Sequence, residues 1–255
     1  MRRREKFVIT SVLLSFGLLG IQYLPLDFRY WAIGLFFVIS YLMSAWALAD
    51  DLQAHEWLTV VPFPALYAVS VSWFYFLLPE SILSKFILLA VFGVGMYALF
   101  LTSNIYSVAK GRTIQLLHAA HAVALLFTLI TSLLFTNTIF GLRLPFYANG
   151  LLAGLVHFPL ILMSLWSVKI ESYISREVLA MSGVLSLFIV ELTTILSFYP
   201  FSVWNIALFV MAFTYISLGI LHSFLQERLF DNILREYSLV AVFVLIMFAI
   251  LFPYK

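Results

Sequence analysis

The residues with the most chemical potential are a carboxylate and a set of imidazoles embedded in long apolar runs. Glu191 is the one carboxylate inside the predicted spans. His118 and His121 share the fifth span, His157 lies in the sixth, and His222 closes the eighth. Such groups cost a few kcal/mol in hydrocarbon even on lenient scales, so they are expected to face protein or water. At about 1.5 Å per residue, His118 lies about 6 Å from the inner end of its helix, His121 about 10 Å, His157 about 17 Å and Glu191 about 20 Å. Those depths form a ladder over three consecutive helices, which are often neighbours. The chemistry this implies is a proton or cation relay ending at a midplane Glu191/His157 site.

The surrounding residues favour an inward orientation. Gly150 and Gly154 form a small-xxx-small pair one turn before His157, and such pairs mark close helix approach. Gly183, Leu187, Glu191 and Thr194 share one stripe, and His118, Ala122, Leu125, Thr128 and Ser132 share another. Pro159 lacks an N–H and so frees a backbone carbonyl near His157. The competing reading is structural: His157 and Glu191 bond each other, or that freed backbone, and lock the bundle.

Two metal readings are weaker. Asp50, Asp51, His55 and Glu56 crowd the turn between the second and third spans. On a helix Asp51 and His55 sit at chelating spacing, and adjacent carboxylates at a membrane face also suit a magnesium–phosphate complex. A haem held by His121 and His157, with His118 nearby, needs imidazoles at similar depth, and the estimated depths differ by about 7 Å. No cofactor is called for, with haem or a divalent metal compatible with these residues.

The elements that must position these groups follow from composition. Of 255 residues, 64% are hydrophobic and 10% are charged. A soluble domain carries far more charge, so a soluble fold, disorder, a coiled coil and a nucleic-acid-binding domain are excluded. Runs of about 18 or more apolar residues read as membrane-spanning helices. The runs predict nine, over roughly 7–26, 29–49, 57–78, 83–108, 114–136, 146–168, 178–198, 201–223 and 238–254. They leave no room for a separate soluble domain. Segments such as Phe86-Ile87-Leu88-Leu89 do not alternate apolar with polar, so a β-barrel is excluded. The fold expected is an all-α polytopic bundle. Pro25, Pro79, Pro145 and Pro200 mark the outer turns, and the segment from Phe224 to Tyr237 reads as an amphipathic surface helix or a continuation of the eighth span.

Basic residues set the orientation. With the N-terminus cytoplasmic, the inner side holds Arg2, Arg3, Arg4, Lys6, Lys110, Arg112, Lys169, Arg176, Arg228 and Arg235, and the outer side Arg29, Lys85, Arg143 and Lys255. The chain is therefore expected in a plasma membrane, of the bacterial cytoplasmic type. Its one readable partner is the lipid bilayer, and a protein partner or homo-oligomer is compatible with it. The absence of cysteine excludes disulfides, thiolate metal sites and cysteine nucleophiles. No phosphate-binding glycine loop, His-Glu-x-x-His or Gly-x-Ser-x-Gly occurs, so the chain leans away from an enzyme. A small-solute or proton/cation-linked transporter is the first expectation. A non-catalytic assembly or anchoring protein is the second, and an interfacial Asp/His/Glu metalloenzyme the third.

Overall fold

The computed structural model describes residues 2–50, 52–77, 82–109 and 116–250. They form α1 (Arg3–Gln22), α2 (Leu26–Leu48), α3 (Glu56–Thr59), α4 (Pro62–Tyr75), α5 (Ile82–Val108), α6 (Leu116–Gly141), α7 (Phe146–Lys169), α8 (Arg176–Leu196), α9 (Val203–Leu225) and α10 (Asp231–Ile250). No strand occurs among the described residues. α3 and α4 follow each other as one apolar stretch, Glu56–Tyr75, so nine stretches among the described residues are long and apolar enough to cross a bilayer. The chain is an all-α, multi-pass membrane protein.

The helix ends explain where the boundaries shifted from the sequence reading. α1 begins at Arg3 because Glu5 reaches back to accept from the Arg2 N–H at 3.0 Å, closing the first turn among the basic residues. Pro25 and Pro145 stand immediately before α2 and α7, where a missing N–H costs nothing. Pro79 lies outside the described residues. Ser175 and Ser202 cap α8 and α9 through Val178 and Asn205. The amphipathic segment is neither a surface helix nor an extension of α9. Glu227 adopts a left-handed φ of 57°, which stops α9, and Asp231 then opens α10 with a negative charge at its N-terminus.

Two compact units divide the chain, with the boundary inside α6 between Phe127 and Thr128. In the N-terminal unit, α1, α2, α4 and α5 pack on one another. Their interior is aromatic: Phe7 stacks on Phe100 with centroids 6.0 Å apart, and Tyr67 meets Phe92 at 5.8 Å and Phe127 edge-on at 5.1 Å. Gly95 faces Tyr67 and Phe127, so the Gly93-Val94-Gly95 run serves packing.

In the C-terminal unit α7 is the most enclosed helix and packs on α8 and α9, while α10 packs on α9. Gly150 faces Thr194 and the Val190 carbonyl, and Gly154 faces the Val190 side chain, so α7 and α8 approach closely along that pair. α10 buries no residue, and Phe248 holds it against Phe201 and Phe209 at 4.3 and 4.2 Å.

Candidate functional site

His157 is completely buried, at 0% exposure. Its Nε2 lies 2.7 Å from the Ser132 hydroxyl on α6, and its Nδ1 lies 2.7 Å from the Ala153 carbonyl one turn back on α7. A carbonyl only accepts, so Nδ1 carries the hydrogen and donates. In the neutral ring Nε2 then accepts from Ser132. Both ring nitrogens are engaged, so a haem iron at Nε2 would have to displace Ser132.

Glu191 is somewhere else. Val190 faces α7, and one residue onward rotates the side chain by about 100° around the helix. Glu191 is accordingly exposed on the outer face of α8, and it makes no hydrogen bond or ion pair among the described residues. The expected Glu191/His157 pairing is therefore corrected: the imidazole faces α6 and the carboxyl faces away from α7. His118 is exposed, and His121 packs beside Tyr106 with ring centroids 5.5 Å apart.

The described residues of the turn after α2 serve other partners. Both oxygens of Asp50 lie 2.8 Å from Lys6 Nζ, which holds the Asp50 carboxyl below its ordinary range. Glu56 turns inward to 0% exposure, where its Oε2 accepts from the Gln53 N–H at 2.8 Å and from the Ser107 hydroxyl at 3.3 Å. Asp51 lies outside the described residues, and His55 is half-buried. No group of three or more potential ligands occurs among the described residues. Asp50 and Glu56 already serve other partners. Glu56 is the sealed carboxylate that sequence reasoning missed, because the span was started at Trp57. Its signal was the Gln53-x-x-Glu56 spacing, the same reach-back that Glu5 makes to Arg2.

Around Ser132 lies a feature the sequence reading touched only in part. Thr128, Thr131, Ser132 and Thr136 fall within about 140° of arc on α6 at 100° per residue. All four are buried. The hydroxyls of Thr128, Thr131 and Thr136 find no hydrogen-bond partner among the described residues, and neither does the Asn137 amide nitrogen beside them. Many other buried hydroxyls turn back to the carbonyl four residues earlier, as in Ser11, Ser72, Ser182, Thr193 and Thr214, while Ser40 and Ser103 are isolated exceptions. Three hydroxyls that forgo this default on one arc, flanking the His157 contact, make a polar seam about 12 Å long.

Further links tie α7 to its neighbours. Asn149 Nδ2 donates to Ser197 Oγ at 3.1 Å, and Ser164 Oγ lies 3.0 Å from His222 Nε2. Side-chain hydrogen bonds thus tie α7 to its neighbours at different levels: Asn149 to the residue closing α8, Lys169 to Glu177 at the start of α8, His157 to α6, and Ser164 to α9.

These features define a polytopic α-helical membrane protein with a sealed polar seam in its C-terminal unit. No protein-family model, curated protein or solved structure matches the chain.

Proposed function

We propose that the chain is a transporter that passes protons or a small polar solute along the α6 seam, with His157 as the imidazole the path reaches. The reading includes a plasma-membrane location, with the end carrying Lys6 and Asp50 cytoplasmic, on the bias of basic residues toward that side. One observation carries it: the unpartnered hydroxyls of Thr128, Thr131 and Thr136 on the Ser132 arc. A buried polar group without a partner costs about 1–3 kcal/mol. A bundle solvated by lipid has no water to supply from outside. Several such groups on one face are retained where water or a polar solute supplies the missing bonds. Glu191 has no part in this path.

The chain lacks cysteine, so single cysteines report hydration directly. Thr131→Cys and Thr136→Cys in the full-length protein, reconstituted in vesicles, are expected to react with a small charged thiol reagent. Leu126→Cys, on the exposed face of α6, is expected not to react. Proton flux in the same vesicles is expected to fall in Thr131→Val/Thr136→Val while the fold persists. A seam that is inert to the reagent, or flux indifferent to the double substitution, ends the transport reading.

A further inference from the structure

Heptad spacing organises the outer face of α8. Ala180, Val184, Leu187 and Glu191 step by four, three and four residues, the pattern along which two membrane helices pack. Leu187 is 62% exposed and Val184 53%, and Gly183 beside them has open space where a Cβ would stand. On this otherwise apolar seam sits an exposed carboxyl with no partner among the described residues.

Its depth makes that costly. Glu191 stands about 8 Å of helix short of Leu196, with Phe198 and Tyr199 beyond. So short a side chain does not reach the headgroups as the longer lysine and arginine do. A carboxyl at that level needs a cation or donor beside it.

None of the described residues bonds or pairs with Glu191. His157, the buried imidazole on the adjoining helix, has both nitrogens engaged. A second copy related by a twofold axis along the membrane normal would present another Glu191 at the same depth, which repels instead of neutralising. A cation presented by a different chain meets that need. We propose that the α8 seam binds a transmembrane helix of another protein that presents an arginine or lysine at the depth of Glu191. The apolar groove of about 540 Å³ between α8 and α9, lined by Val184, Leu185, Phe188, Phe213 and Leu221, flanks the seam and receives that helix's apolar side chains.

The test uses the purified full-length chain in vesicles and labelled single-pass peptides of leucine, one with arginine at the matching depth and one with leucine there. Energy transfer is expected to show the arginine peptide binding roughly tenfold more tightly than the leucine peptide. Glu191→Leu, which disturbs no contact within the chain, is expected to abolish that preference, and moving the arginine by two turns to weaken it. Equal binding of both peptides to the wild type overturns the proposal. So does a preference that survives Glu191→Leu, and so does Glu191-dependent self-association without peptide, which identifies a second copy as the occupant.

Discussion

Ser132 and His157 face each other across α6 and α7 at 2.7 Å, and the Ala153 carbonyl at Nδ1 fixes the tautomer of this fully buried imidazole. With Nδ1 committed to the Ala153 carbonyl, Ser132 becomes the donor and its hydroxyl is unavailable to its own helix. The bond therefore links the polar seam of α6 to the most enclosed helix of the C-terminal unit.

A double-mutant cycle measures that link. Hydrogen bonds between membrane helices couple by about 0.6 kcal/mol on average and up to about 1.7. Ser132→Ala and His157→Leu, each measured by unfolding in detergent, are expected to be non-additive by about 0.5–1.5 kcal/mol. Additive losses would mean that the two side chains do not share a bond in the folded protein.

The two glycine contexts give opposite expectations. A Cβ at Gly154 meets Val190 across the α7–α8 contact, whereas Gly183 on the outer face has open space. Gly154→Ala is expected to destabilise by about 1–3 kcal/mol, since overpacking a close contact forces the helices apart. Gly183→Ala is expected to be neutral or to gain slightly from helix propensity. Thermal denaturation of the two variants side by side checks the contrast.

The threading of the chain was legible in composition, because a run of about twenty apolar residues has few other solutions. Boundaries moved where a single side chain closed a turn, as Glu5 does at Arg2, or where Glu227 bent the backbone. Site geometry was less legible. Glu191 and Val190 are adjacent in sequence, yet one faces lipid and the other α7, and hydropathy does not distinguish the two faces of a helix that is apolar all round. The small-xxx-small pair pointed to the α8 contact, while the direction of His157 depended on Ser132, a residue named only as part of a stripe.

At the end of the bundle that carries Lys6, the acid response of Asp50 has a definite sign. Lys6 bonds both its oxygens, so its folded pKa lies below its unfolded value. A depressed carboxyl stabilises the fold above the unfolded pKa, and that contribution is lost as pH falls through the folded one. The group is exposed, so the effect on stability is small and screened by salt. Lys6→Gln is expected to raise the Asp50 pKa toward the ordinary carboxylate range, read from its carboxyl carbon by NMR titration. An unchanged titration would show that the ion pair does not persist in the membrane-inserted protein.

Glu56 carries the strongest expectation in the N-terminal unit. Its Oε2 satisfies the Gln53 N–H at the head of the α3–α4 stretch and the Ser107 hydroxyl at the end of α5, so one carboxyl oxygen both closes a turn and joins two helices. Glu56→Ala removes the acceptor and leaves the Gln53 N–H without its side-chain partner, at a cost of about 1–3 kcal/mol. Glu56→Gln keeps a carbonyl oxygen of the same reach and is expected to recover most of that loss. Ser107→Ala removes only the longer bond and is expected to cost less than Glu56→Ala. This ranking, measured by unfolding, separates a hydrogen-bonding role from a charge role. Were Glu56→Gln as damaging as Glu56→Ala, the negative charge itself would be what the site requires.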